Sequence, residues 1–431
     1  MAAARPTKNP GPAVPDRRYR VLFVASHPVQ YQVPLFRRMA QHPSLDLQVA
    51  FCTLRGAEAA LDPEFGAHIQ WDVPLLDGYF WTRVPNRGSG SESFFGLFNP
   101  GLGSLIRSGN YDAVVSNVGY VRASFWIALA AAKFSKAAFL FGTDAVSLTP
   151  REGPAWKARV KKYLWPWLFR LADQVFAPSS GTRDLMLTLG LPADRLTLIP
   201  YVVDNDWWIR QSAQVDRNTV RAEWGATPDT VVILFCAKLQ PWKRPLDLLR
   251  AFAMAKLSNA ILLIAGEGPL RTQVESEAAS LGVASRVRYL GFVNQSQLPA
   301  VYTAADLLVL PSEFEPFGLV VNEAMCCARP VIASDQAGAS RDLVAPVSPD
   351  FVFRCGDVDA LAELIRKAAA DLTHLKELGR AALSHIQTWS PERNIAASAE
   401  AVRIAVSRIG RREIGCPSDS VAPAGRQGIH E

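Results

Sequence analysis

What this chain lacks narrows the reading first. No run reaches 18 uncharged apolar residues, which excludes a helix that spans a membrane. The nearest approach, Ala123 to Phe141, is interrupted by Lys133 and Lys136 and divides better into a helix and a following strand. Cysteine is scarce, six in 431 residues, with no C-x-x-C or metal-ligand spacing. Cys52, Cys236, Cys326 and Cys327 have apolar neighbours in sequence and read as reduced, buried thiols of a cytosolic protein. The first strand candidate, Arg20 to Ala25, runs into Ser26-His27-Pro28 where a dinucleotide site would need G-x-G-x-x-G, so a binding site of NAD type is excluded. No nucleic-acid motif accompanies the basic residues. Residues 1–18 hold four prolines and no apolar core. They read as a disordered tail and not a signal peptide, and 411–431 as a second disordered tail.

What is present is an α/β pattern repeated twice. At 49% hydrophobic and 20% charged, the chain has material for two cores, and a net charge of +6 suits an anionic ligand or surface. Strand candidates in the first half are Arg20–Ala25, Leu45–Phe51, Ala113–Ser116, Ala138–Phe141, Gln174–Ala177 and Leu196–Ile199, with helical stretches between most of them. The second half offers Thr230–Phe235, Ala260–Ala265, Val287–Val293, Asp306–Leu310 and Pro330–Ser334. Such alternation implies doubly wound parallel sheets that bind ligands at the strands' carboxyl ends. His27, Asn117, Asp144 and Ser179 fall at those ends. Capping or packing accounts for His27 and Asp144 as well as chemistry does.

In the second half, Lys238 and Lys243 lie five apart beyond a strand end and can converge on one phosphate pair. From Pro311 to Val344 come a turn bearing Gly318, a helix from Leu319 to Ala328 and another strand. The free amides of such a helix start form an anion site, and glycine lets a ligand approach the backbone. Glu315 and Glu323, eight apart, could each accept two hydroxyl hydrogen bonds. Solvated acids around an ordinary βαβ connection fit that spacing equally.

The stretch Glu315-Pro316-Phe317-Gly318, closed by Glu323, resembles the E-x7-E signature of the retaining GT-B glycosyltransferases, family 4 in particular. The resemblance implies that Glu315 lies beside the donor sugar. The amides of Phe317, Gly318 and Leu319 would hold the diphosphate, and Glu323 would bind the ribose. Lys243 matches a family lysine, while Lys238 stands where arginine is usual, keeping the charge but losing the bidentate fork. Gly266-Glu267-Gly268-Pro269 matches a segment near the nucleotide. Phe292 and Val293 lie where the family packs the base. Many members carry a histidine where this chain has Gly142-Thr143-Asp144, so Asp144 joins His27 as a candidate in the acceptor half. D-x-D occurs at both Asp204–Asp206 and Asp357–Asp359, a cheap pattern to which no metal is assigned.

The implied architecture is α/β, GT-B, with two Rossmann-like doubly wound parallel-sheet domains facing a cleft. Residues 19–203 with a carboxyl-terminal helix at 391–410 would bind the acceptor, and 204–390 the nucleotide sugar. The implied catalytic set is Lys238, Lys243, Glu315, Asp144 and His27. The donor-binding set is Gly268, Phe292, Val293, Phe317, Gly318, Leu319 and Glu323. The implied activity is retaining transfer from a UDP or GDP sugar to a hydroxyl acceptor in a glycan, a lipid-linked molecule or a small molecule, without cofactor or metal. A nucleotide-sugar epimerase of the same fold and a non-catalytic sugar-nucleotide binder are the alternatives. Finally, Pro154 to Phe176 interleaves Lys157, Arg159, Lys161, Lys162 and Arg170 with Trp156, Tyr163, Trp165, Trp167 and Phe169. Residues 156–169 suit an anionic membrane surface, which would place a cytoplasmic protein at the membrane's inner face. A helix with a solvated basic face and an aromatic core face is the plainer alternative. Pro166 is expected to break or bend it.

Overall fold

Hydrophobic runs with no alternation, such as Val231–Cys236 and Ala260–Ala265, are buried at every position. That is the signature of parallel strands covered on both faces. The computed structural model describes residues 17–413 except 59, 63–66, 150–153 and 155. In the first half lie β1 (Tyr19–Ala25), β2 (Leu45–Phe51), β3 (Ala60–Asp62), β4 (Ala67–Ile69), β5 (Trp81–Arg83), β6 (Ala113–Ser116), β7 (Ala138–Gly142), β8 (Gln174–Ala177) and β9 (Leu196–Leu198). The second half holds β10 (Val231–Cys236), β11 (Ala260–Ala265), β12 (Val287–Gly291), β13 (Leu307–Leu310), β14 (Val331–Ser334) and β15 (Val352–Phe353).

The first sheet is ordered β5-β2-β1-β6-β7-β8-β9 and the second β12-β11-β10-β13-β14-β15, and every pairing within them is parallel. Among the described residues only β3 and β4 pair antiparallel, as a separate ribbon. Both sheets reverse strand order beside their first strand, at β1/β6 and at β10/β13. The crevice beyond the carboxyl ends at such a reversal is where ligands bind in this architecture. The two Rossmann-like halves define a GT-B fold.

Two edge strands, β5 and β15, and the β3–β4 ribbon were not expected, being three residues long or fewer. The helix Trp156–Arg170 runs through Pro166 without breaking. Of the expected amino-terminal tail only Arg17 and Arg18 are described; Arg17 pairs with Asp112, and Arg18 donates to the Leu45 carbonyl at 3.0 Å. The other tail lies outside the described residues except for 411–413, which continue the last helix, Pro391–Glu413. That helix crosses back to the first half. Ile395, Ala401, Val402 and Ala405 share a core with Val21, Val49 and Leu140.

The chain therefore passes between the halves twice, and the two crossings are bonded together. The Tyr201 carbonyl accepts from Asn322 Nδ2 at 3.1 Å and from Trp389 Nε1 at 2.6 Å. Asn205 Nδ2 donates to the Ile386 carbonyl at 3.0 Å. Phe317 stacks on Trp389 at 6.2 Å and 12° and meets Tyr201 edge-on at 5.6 Å.

The loops beyond β10, β11 and β12 are knitted backbone to backbone. Leu239 N donates to Glu267 O at 2.9 Å, and Gly266 N to Gly291 O at 2.7 Å. Gly266 has φ +147°, and a Cβ there would lie 2.0 Å from the Ala237 carbonyl oxygen. No side chain fits between these loops. Gly266→Ala should therefore destabilise the protein by at least ~1–3 kcal/mol, read by urea unfolding, since the backbone must take up both the clash and the disfavoured φ.

Candidate active site

A cleft of about 790 Å³ opens between the halves at the carboxyl ends of both sheets. From the first half, Ala145–Ser147, Thr149 and Lys161 line it; from the second come Trp242, Arg244, Glu315, Asp335 and Arg354. A second cavity, of about 490 Å³, lies in the first half at its sheet reversal. His27, Tyr31, Asn117, Thr143, Asp144 and Tyr201 contribute to its wall. The loop after β7 serves both spaces, with Asp144 on the cavity and Ala145 on the cleft.

On the second half's side, the short turn Pro241–Lys243 swings Lys243 back over the strand ends, where its Nζ pairs with a Glu315 carboxylate oxygen. Glu315 reaches that place because its loop adds a bridge to Ala337 and its carbonyl accepts from Gly338 N at 3.0 Å. Arg244, in the left-handed region at φ 51°, binds Asp247 at 2.5 Å and Glu313 at 2.9 Å. Lys238 follows β10 at the reversal and is half-buried.

Gly318, at φ 102°, opens the helix Leu319–Cys326. The first amides of a helix have no partner a turn back and point outward, so those of Gly318 and Leu319 can take an anion. The Phe317 ring cannot serve the ligand: it is 3% exposed, held between Tyr201 and Trp389. Its part in any donor site is confined to the backbone. Gly268, at φ 154°, sits where a Cβ would lie 2.7 Å from the Leu239 carbonyl oxygen, so the strand-end loops can lie flat together. Phe292 faces across the cleft, its ring 6.0 Å from that of Trp71 in the first half. Beside it Ser296 N donates to Asp72 at 3.1 Å, and Asn294 Nδ2 to the Gln70 carbonyl at 3.0 Å. Val293, next in sequence, is half-buried.

The electrostatics link the two halves. Asp144 stands at the mouth of its cavity, yet the walls around it desolvate the carboxyl and raise its pKa, and the charge of Glu315 raises it further. Burial pushes the Tyr31 phenol up to about 12, with Asp144 adding to the shift. Tyr201 is raised well above its ordinary value by burial first, then by Tyr31 and Asp144. Both phenols therefore remain protonated donors beside Asp144. His27 Nδ1 lies 2.9 Å from Ser26 Oγ. Nothing in the sequence pattern singled out Tyr31, Tyr201 or Arg244. Tyr201 stands just before the expected boundary between 203 and 204, but only the tertiary packing aims it at Asp144.

Glu323 lies on the inner side of its helix and accepts from Tyr302 Oη at 2.7 Å. Its desolvated surroundings raise its pKa from 4.5 to about 7, against the opposing effect of the tyrosine hydrogen bond. The first D-x-D pair is an ion-pair cluster, with Arg38 Nη2 binding Asp204 at 2.7 Å and Asp206 at 2.9 Å. Asp357 of the second caps a helix by accepting from Ala360 N at 2.9 Å. Among the described residues no group of three or more His, Cys, Asp or Glu is placed to hold a metal ion.

The comparisons with known proteins agree with the fold. Residues 28–202 match the family described as Glycosyl transferase 4-like domain, and residues 216–385 match Glycosyl transferases group 1. The chain belongs to the GT-B glycosyltransferases of this group 1, family 4 type. It is 30% identical over 229 residues to D-inositol 3-phosphate glycosyltransferase of Nocardia farcinica, covering 51% of this chain and 50% of that protein. It is 32% identical over 183 residues to an uncharacterised glycosyltransferase of Methanocaldococcus jannaschii, 42% of this chain and 47% of the relative. The chain thus spans about half the length of the curated relatives it matches. Anabaena HepE, crystallised with UDP and glucose, superposes with a TM-score of 0.66 at 19% identity over 93% of this chain and all of that one. WaaG, a glycosyltransferase involved in lipopolysaccharide biosynthesis, gives 0.61 at 17%, covering 89% and 99%.

The Glu323 environment carries a sign that can be checked. Its folded pKa lies above the unfolded value, so the folded state holds a proton that the unfolded state has released. The stability it contributes is full below pH 4.5 and is lost as pH rises to about 7. Glu323→Gln is neutral throughout and can still accept from Tyr302. Its melting temperature relative to wild type should climb between those pH values and level off above, as followed by calorimetry across the range.

Proposed function

We propose that this protein transfers a sugar from a nucleotide-diphosphate donor, held by the second half, to a hydroxyl acceptor held by the first, with retention at the anomeric carbon. The observation that carries this reading is the Lys243–Glu315 pair at the second sheet's reversal, with Asp144 of the first half within electrostatic reach of Glu315. Family membership supports the class of reaction. The UDP and glucose bound by Anabaena HepE support a nucleotide-sugar donor. The cavity walled by His27, Tyr31 and Asp144 gives an acceptor somewhere to bind, which an epimerase would not need.

In this reading the acceptor oxygen forms its bond to the anomeric carbon as the sugar–phosphate bond breaks. The acceptor's proton passes to the departing phosphate oxygen. Negative charge grows on that diphosphate, and Lys238, Lys243 and the amides of Phe317, Gly318 and Leu319 stabilise it; such preorganised donors are the largest catalytic contribution to expect. Lys243 must exchange Glu315 for phosphate when donor arrives, which leaves Glu315 to accept from the donor's sugar hydroxyls. Asp144, with the Tyr31 and Tyr201 hydroxyls, and His27 orient the acceptor. Glu323 accepts from the ribose, Phe292 and Val293 border the base, and Gly268 keeps the neighbouring backbone close. No metal or cofactor enters this scheme. Its setting is cytoplasmic, in keeping with the free thiols of Cys52, Cys236, Cys326, Cys327 and Cys355.

The direct test identifies the nucleotide released from a panel of nucleotide sugars, with and without candidate hydroxyl acceptors. Release in no case would sink the reading. Two substitutions then separate the roles. Lys243→Ala should cost about 1.5–3 kcal/mol in donor binding and about 2.7–4 kcal/mol in activation free energy. Turnover at saturating donor therefore falls by more than affinity does. Glu323→Gln should mainly weaken donor binding and spare saturated turnover, because ribose carries no developing charge. The opposite pattern in steady-state kinetics would reverse the two assignments.

A further inference from the structure

The helix Trp156–Arg170 has two apolar faces, and the fold uses only one of them. Inward, Trp165, Leu168 and Phe169 are buried: Trp165 Nε1 donates to Tyr120 Oη at 2.9 Å, and Phe169 stacks on Phe141 at 5.0 Å. Outward, Trp156, Val160, Tyr163, Leu164 and Trp167 are all exposed, Tyr163 by 80% and the two tryptophans by more than half. Their spacing of i, i+4, i+7, i+8 and i+11 puts them on one stripe ~100° wide. Lys157 borders this stripe on one side, and Arg159 and Arg170 on the other, with Lys162 further round; all four are exposed. Among the described residues none of the four makes an ion pair, and no Asp or Glu occurs from 156 to 172.

An apolar centre containing two tryptophans and a tyrosine, rimmed by exposed cations, matches the headgroup region of an anionic bilayer. The aromatic rings reach the acyl boundary while the rim meets phosphates. A nucleic acid would satisfy the rim but leave the apolar centre in water. Tyr120, which holds Trp165, precedes the exposed Val121, and Arg122 grips the Ser91 and Ser93 carbonyls beside exposed Phe94 and Phe95. That loop follows β6, at the same end of the sheet as the cleft. Among the described residues no helix is long and apolar enough to cross a membrane, so contact of this kind is with a surface.

We propose that the outward face of Trp156–Arg170 docks the protein on an anionic membrane and sets the mouth of the cleft at that surface. Lys161 is the link, since it belongs to this helix and also lines the cleft, its Nζ 5.2 Å from the Trp165 ring centre. On the glycosyltransferase reading, the acceptor hydroxyl is then carried by a membrane lipid whose head group enters from the side of this helix. Docking itself does not depend on that reading. A chain that binds membranes but transfers no sugar would refute the proposed function and leave this proposal standing.

The test is flotation of the full chain with vesicles of mixed phosphatidylglycerol and phosphatidylcholine, and with phosphatidylcholine alone. Wild type should float with the first, less so at high salt, and not with the second. Joint Lys157→Gln, Arg159→Gln, Lys162→Gln and Arg170→Gln substitution should lower partitioning by about 600-fold, at about fivefold per basic residue. Trp156→Ser, Tyr163→Ser and Trp167→Ser together should abolish it with thermal unfolding unchanged. In wild type, brominated lipid should quench tryptophan fluorescence, a measurement that needs no variant to fold. The proposal is overturned if wild type neither floats nor is quenched, or if both sets of substitutions leave flotation intact. It is equally overturned if light scattering finds a dimer that the serine variant converts to monomer, which would make the stripe an interface between copies.

Discussion

The packing of Phe317 between Tyr201 and Trp389 is the constraint on which the rest of the molecule depends. Each of the three rings comes from a different part of the chain: the outgoing crossing, the turn before the Leu319 helix, and the returning crossing. A buried aromatic of this kind removes a large apolar area from water and fixes its neighbours at well-defined angles. Two donors, from Asn322 and Trp389, converge on the Tyr201 carbonyl and satisfy it where it is turned inward. The helix start that offers amides to the cleft and the tyrosine that faces Asp144 are therefore parts of one rigid joint. Rotation of one half against the other would strain both at once.

Around that joint the cleft carries opposed charges that are only partly neutralised. Lys243 cancels Glu315, Arg244 is shared by Asp247 and Glu313, and Asp144 is left with a desolvated carboxyl facing the remaining field. Such a site is poised for an anionic ligand that brings its own charge, since diphosphate can replace a carboxylate on a lysine without leaving a bare cation behind. Contacts on the far side, Trp71 with Phe292 and Asp72 with Ser296, hold the first half against the strand end proposed to border the base.

A good deal of this was legible from residue order. Apolar runs of four to seven residues bounded by turn signals read as strands buried on both faces, and the central strands of both sheets begin and end within a residue or two of expectation. The ion pair of Lys243 with Glu315 was not legible there; it arises because their loops leave the adjacent strands β10 and β13. Less visible were β5 and β15, too short for any period to register, and Phe317, whose neighbourhood in a motif said nothing about where its ring would pack. The helix also continues through Pro166 where a break was one of the two expectations. Inward packing of Trp165, Leu168 and Phe169 can outweigh one missing hydrogen bond of the order of a few kcal/mol.

By itself, then, the sequence determined the alternation of strand and helix, the two cores and the family of the chain. These follow from local periodicity and from short motifs whose chemistry is written in neighbouring residues. Only the tertiary structure decided that Tyr31, Tyr201 and Asp144 share one cavity, that Glu323 is desolvated against Tyr302, and that the apolar stripe from Trp156 to Trp167 faces outward. Each of these rests on burial and on contacts between residues far apart in the chain, and which of two apolar helix faces meets the core is settled by what the sheet presents to it, not by the helix's own period.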